Sequence, residues 1–156
     1  MNFIQKRIQE RKLQEEARKK EIFKKGCCYS MLHLESYMEN VKQCLNDFSL
    51  NKKNVSLEEI DNFVSNLTQV SIHYNTFLQR LKYYQHQYKT YGLYREHLDY
   101  MTQKKKEYRN AFERLYINFG RVSKGYNFPR RNEILGLMRK AFDFDSSKYY
   151  AHDQLQ

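Results

Sequence analysis

Between Ile60 and Leu98, twelve positions follow one another at alternating steps of three and four residues. They are Ile60, Phe63, Leu67, Val70, Tyr74, Phe77, Leu81, Tyr84, Tyr88, Tyr91, Arg95 and Leu98, and all but Arg95 are apolar or aromatic. A stripe repeating every 3.5 residues keeps one face of a helix against a partner helix over many turns, whereas a strand needs a period of two. With Met101 as the next apolar position, the alternation resumes through Lys105, Tyr108, Phe112, Leu115, Phe119 and Val122. The two successive steps of three, Arg95 to Leu98 and Leu98 to Met101, read as a stammer that would overwind a coiled coil. Ser56 and Glu59 make a Ser-x-x-Glu capping box ahead of the apolar run, so the element is predicted to begin near Leu57. Gly120, Gly125 and Pro129 mark its far end. Unbroken, the roughly sixty residues between would form a rod of about 90 Å. Gly92 is the weak point, either a kink or the tight turn of an antiparallel helical hairpin.

The flanking segments are helical too. Residues 2 to 25 form a charged arm with nine bases against four acids and only Phe3, Ile4, Ile8, Leu13, Ala17, Ile22 and Phe23 as apolar positions; Gly26 is expected to end it. Leu34, Tyr37, Met38, Val41, Leu45 and Phe48 have the spacing of a second helix of about twenty residues, followed by a polar connection from Asn46 to Ser56. Ile134, Leu135, Met138, Ala141 and Phe142 predict a short final helix, with Pro129 suited to its first turn. The organisation is therefore an N-terminal arm (1–25), a helical bundle domain (26–142) and a C-terminal tail (143–156). The fold class is all-α: an elongated helical bundle or coiled coil with one long central helix, kinked or folded into a hairpin near Gly92. Five glycines and one proline are too few for a loop-rich or all-β domain. Because fourteen tyrosines account for much of the 40% hydrophobic content, and each hydroxyl needs water or a partner, the aromatic faces are expected to be completed by something outside the chain.

Charge divides the chain. Residues 80 to 131 carry thirteen bases against four acids, whereas residues 26 to 79 are net acidic. Lys104, Lys105, Lys106, Arg109 and Arg114 flank the seam, and Arg121, Lys124, Arg130 and Arg131 crowd the segment after it. Such a surface attracts phosphate backbones through counterion release, and interleaved tyrosines can stack on unpaired bases. The competing reading of the same residues is a solvated or protein-facing basic surface.

The search for chemistry is negative. The five histidines include no pair at three or four residues' spacing, and Cys27, Cys28, His33 and Cys44 lack the paired spacing of structural zinc sites. No glycine-rich phosphate loop or Gly-x-Ser-x-Gly elbow is present, so no catalytic residue, metal or cofactor is assigned. No stretch approaches the about 18 uninterrupted apolar residues of a membrane span. An odd cysteine count and an N-terminus without a secretory h-region predict an intracellular, reducing compartment, cytoplasmic by default with a mitochondrial alternative.

Two short constellations carry family resemblances. Arg80 and His86, five residues between them, resemble in spacing the Arg-x(4–6)-His motif of helical HEPN ribonucleases, with Leu81 where that motif has a polar residue. Leu93, Tyr94, Arg95 and Leu98, with Phe119, Pro129, Ile134 and Ala141 further on, resemble the LYR-motif family of small three-helix mitochondrial accessory proteins. That resemblance covers the C-terminal third of the chain and implies an adaptor or respiratory-complex subunit that binds acyl carrier protein through its basic face.

The leading expectation is a non-enzymatic helical binding protein, an accessory or adaptor subunit of a larger assembly. It would recognise an acidic or helical protein partner, or a second copy of itself, through the seam residues Tyr74, Phe77, Leu81, Tyr84, Tyr88 and Tyr91. The alternative is a protein that binds single-stranded RNA or DNA along residues 80 to 131, and the LYR-like accessory subunit is a lesser one.

Overall fold

A computed structural model describes residues 2–24, 29–50, 55–124 and 127–145. Among them there are five helices and no strand: α1 (Phe3–Lys24), α2 (Tyr29–Leu50), α3 (Leu57–Tyr91), α4 (Arg95–Val122) and α5 (Arg131–Ala141). The all-α class read from the periodicity holds.

The long apolar stripe is cut in two. α3 starts at the expected capping box, where the Ser56 hydroxyl accepts from the Glu59 amide and the Glu59 carboxylate accepts from the Ser56 amide. It ends at Gly92, which adopts a left-handed φ of 68° and returns its N–H to the Tyr88 carbonyl at 2.9 Å, a glycine cap that a residue with a Cβ adopts only at a cost. After Leu93 and Tyr94 the chain re-enters a helix running the other way. Ring pairs fix the antiparallel register: Phe63 meets Phe119 at 5.6 Å, Tyr74 meets Phe112 at 4.9 Å, Phe77 meets Tyr108 at 5.2 Å and Tyr84 meets His97 at 5.3 Å. Gly92 is thus the turn of a hairpin, and no 90 Å rod exists. The stammer disappears with it, because Arg95 is the first residue of α4, exposed and 3.9 Å from Asp99, so the buried stripe of α4 starts afresh after the break and not as a continuation of that of α3.

α2 packs antiparallel along the first half of α3, with Phe48 on Phe63 at 5.2 Å, Asn40 bonded to Asn66 at 3.2 Å and His33 beside His73 at 5.2 Å. It runs through Leu50, past the expected start of the polar connection at Asn46, because Phe48 is buried between Phe63 and Phe128 and holds the last turn in the helix. Pro129 lies ahead of α5 and not in its first turn. It takes the second position of a tight turn closed by the Arg131 amide on the Phe128 carbonyl, and Arg130 supplies the positive φ of 58° that a type II turn requires at the third. α5 then lies over the hairpin, with Phe142 stacked on Phe112 at 4.8 Å. The expected stop at Gly26 lies outside the described residues, as does most of the tail.

The core is aromatic and belongs to the chain itself. Phe48, Phe63, Phe119 and Phe128 form one cluster, and Tyr74, Phe77, Tyr108, Phe112 and Phe142 another, all buried. Edge-to-face geometry recurs in both clusters, the arrangement that aromatic quadrupoles favour. Most of the seam is therefore completed within the molecule, contrary to the expectation that its aromatic faces await an outside partner. α1 is different: every described side chain from Asn2 to Arg18 is exposed, Phe3, Ile4, Ile8 and Leu13 among them.

The register makes a sharp contrast testable. Leu81 is 3% exposed and Lys82, its neighbour, lies on the solvent side. Leu81→Asp should destabilise the bundle by about 4 kcal/mol, since it buries an unpaired carboxylate, while Lys82→Asp should change stability by no more than about 0.5 kcal/mol. Circular dichroism melts that give equal shifts for the two variants would contradict the register.

Candidate functional site

The seam on α3 changes character at Tyr84. Tyr74, Phe77, Leu81 and Tyr84, expected as anchors for a partner, are 5% exposed or less, because the returning α4 lays its own stripe against them. Tyr74 is doubly committed: its hydroxyl donates to Asp143 Oδ2 at 2.7 Å, and burial followed by that bond pushes its pKa well above the ordinary tyrosine value. These four side chains are core and present nothing to a partner. Tyr88 and Tyr91 are 40% and 65% exposed.

Around them the hairpin tip is a patch of exposed rings and cations. Tyr83, Leu93 and Tyr94 are also exposed. The Tyr84 ring is covered by Tyr94 edge-on at 5.3 Å, by His97 at 5.3 Å and by the Arg80 guanidinium at 5.4 Å. Tyr94 holds a left-handed φ of 62°, uncommon for an aromatic residue and sustained by its packing on Tyr84 and His97.

A second line on α3 bears on this patch. Asn62, Asn66 and His73 face α2, through Cys44 at 3.7 Å, Asn40 at 3.2 Å and the stacked ring of Tyr37 at 5.5 Å respectively. Heptad spacing continues that line through Arg80, Tyr84, Gln87 and Tyr91. α2 does not follow it: its second residue, Ser30, is already level with His73, 3.4 Å from Nδ1.

The expected basic surface divides into paired and unpaired groups. Lys104 bonds Glu35 at 2.9 Å and lies 3.4 Å from Glu107. Arg109 donates to the Asp143 carbonyl at 2.8 Å, and Arg130 bridges Asp61 at 2.9 Å and Glu133 at 2.7 Å. Arg131 is turned inward to Ser123 Oγ and the Gly120 carbonyl, and Arg121 bonds Asn118. Lys105, Lys106, Arg114 and Lys124 have no acidic partner within 4 Å among the described residues. The nine cations do not form one cradle. Arg114 and Arg121 line an open groove between α2 and α4 of about 630 Å³, whose rim also carries Glu35, Glu39 and Glu107 and is mixed in sign.

Other groups carry little chemistry. Cys44 is half-buried, and burial, then the charge of Asp47, raise its thiol pKa, so it stays protonated and weakly nucleophilic. Cys27 and Cys28 lie outside the described residues. No group of three or more His, Cys, Asp or Glu that could hold a metal occurs among the described residues, and no helix there is long and apolar enough to cross a membrane. Arg80 and His86 are both exposed, and six steps along a helix set them about 120° apart. Leu93 and Tyr94 form the interhelical turn and Arg95 opens α4. No protein-family model, curated protein or solved structure matches the chain.

Sequence reasoning named Tyr88 and Tyr91 as partner anchors, assigned Arg80, Leu93 and Tyr94 only to family resemblances, and missed Tyr83. The signal for them was Gly92: a turn there brings residues on both sides of it to one end of the hairpin.

The α2–α3 contact is expected to weaken at acid pH. Burial, and then the neighbouring His33, hold the His73 pKa below its ordinary value of about 6.5. The folded state thus favours the neutral ring. Its contribution to stability is complete above about pH 6.5 and falls as pH drops through the lower folded pKa. The melting temperature should decline between pH 7 and 5, and His73→Gln should flatten part of that decline; an identical slope in the variant would contradict the assignment.

Proposed function

We propose that the chain is a non-enzymatic helical binding protein, an accessory or adaptor subunit of a larger intracellular assembly, that engages its partner with the tip of the α3–α4 hairpin. One observation carries the reading: an apolar seam buried without interruption from Ile60 to Tyr84 continues into Tyr88 and Tyr91, which are exposed, as Tyr83, Leu93 and Tyr94 are at the same end of the hairpin. Contiguous exposed aromatic surface rimmed by polar groups marks interaction sites, and tyrosine and arginine are the side chains that most often dominate their energetics. The four-helix body serves as the rigid mount.

Nucleic-acid binding along residues 80 to 131 fits less well. Lys104, Arg109 and Arg130 are held by acids of the same chain, so fewer cations are available for counterion release than the sequence count suggests.

Tyr88→Ala with Tyr91→Ala leaves the core untouched and removes the exposed seam. Affinity purification of the wild-type and doubly substituted chains from their own cells, with quantitative mass spectrometry, should show a co-purifying protein depleted about tenfold or more by the double substitution. Identical sets of co-purifying proteins would contradict the proposal.

A further inference from the structure

From the line of α3 that seats α2, we infer that the hairpin tip receives an acidic amphipathic helix from another protein, laid along α3 in the lane that α2 leaves at His73. The inference rests on the tip being a binding site and names what binds there.

In the body of the molecule the lane is occupied. Asn62, Asn66 and His73 meet Cys44, Asn40, and Tyr37 with His33 on α2. The next positions of the same line, Arg80, Gln87 and Tyr91, keep helix-seating spacing across the covered ring of Tyr84, and Arg80 and Tyr91 are exposed there, whereas α2 begins at Tyr29. The seat is thus longer than the helix that fills it, by almost four turns of α3 from Leu78 to Tyr91. Those turns span about 20 Å at the helical rise, the length of about two heptads.

The described side chains of the chain's own N-terminal helix do not take the lane. Its side chains from Asn2 to Arg18 are exposed, and residues 2 to 25 carry nine bases. Residues 80 to 106 carry seven bases against two acids; with Lys104 held by Glu35 and Arg95 beside Asp99, Arg80, Lys82, Lys89, Lys105 and Lys106 stand against Glu96 alone. A basic helix would be repelled there and an acidic one attracted. The same argument counts against a second copy of this +10 chain docking tip to tip. A stacked single strand fits the geometry less well, because the Tyr84 ring is enclosed by Arg80, Tyr94 and His97 and offers no free face to a base.

The probe is a three-heptad peptide with leucine at both seam positions and glutamate on the flanks, compared with its lysine-for-glutamate counterpart, each fluorescently labelled and titrated with the full chain. The acidic peptide should bind saturably, with affinity reduced about tenfold or more by Arg80→Glu and by Tyr91→Ala, and unaffected by Lys124→Glu. The lysine peptide should bind far more weakly. Both Arg80 and Tyr91 are exposed, so unchanged melting temperatures verify that the variants fold. Absence of saturable binding, equal binding of the two peptides, or indifference to Tyr91→Ala would overturn the inference. Binding of oligo-dT that Tyr91→Ala abolishes, with no peptide binding, would replace the helix with a nucleic acid and leave the tip as the binding site. A concentration-dependent dimer abolished by Tyr91→Ala would replace it with a second copy. Failure of the binding reading itself would be distinct, a Tyr88/Tyr91 double substitution that changes no co-purifying protein.

Discussion

Covering one face of α3 is the constraint from which the rest of the molecule follows. A helix of 35 residues with an apolar position at every third or fourth step cannot stand in water by itself. The chain meets the requirement by doubling back at Gly92, so that α4 supplies a matching stripe, and by laying α2 and α5 on the remaining flanks; α3 packs against all three. The side chains that fill the interface are large rings, which bury much area per residue but bring hydroxyls into the core. Those hydroxyls then dictate secondary contacts: Tyr74 draws Asp143 back onto the hairpin, and Tyr116 accepts from Arg139 of α5. The aromatic seam thereby fixes the path of the chain after α5 as well as the hairpin itself.

The same constraint explains where the apolar stripe becomes exposed. Coverage of α3 is complete only where a second and a third helix reach it. Near the turn, α4 is just beginning and α2 has already ended, so the apolar line outruns its cover. The bundle body and its tip are therefore physically different parts of one stripe. In the body the rings lock to each other; at the tip their faces and the nearby cations are presented to solvent.

Much of this was legible before the fold was known. The helical class, the start of α3 at its Ser56–Glu59 box and the buried positions of the stripe, Ile60 to Tyr84 on α3 and Met101 and Tyr108 to Val122 on α4, all follow from local spacing and capping chemistry. What the sequence concealed is what local spacing cannot encode. An antiparallel hairpin and a continuous coiled coil share the 3.5-residue repeat, so the pattern on either side of Gly92 looks the same whether the chain runs on or reverses. The pairing of the basic residues is equally hidden: Lys104 with Glu35 and Arg130 with Asp61 are each 69 positions apart. For the site, Tyr88 and Tyr91 were legible as seam residues, but which members of the seam are buried and which exposed depends on where α2 and α4 end, a property of the packed bundle.

The division of the seam at Tyr84 can be measured directly by footprinting. Brief tyrosine nitration of the native protein, read by mass spectrometry, should modify Tyr83, Tyr88, Tyr91 and Tyr94 readily and leave Tyr74, Tyr84, Tyr108 and Tyr116 protected, in line with their burial. Unfolding in guanidinium should erase the difference. Comparable modification of Tyr74 and Tyr91 in the native protein, or protection of Tyr88 and Tyr91 to the level of the core rings, would contradict the account.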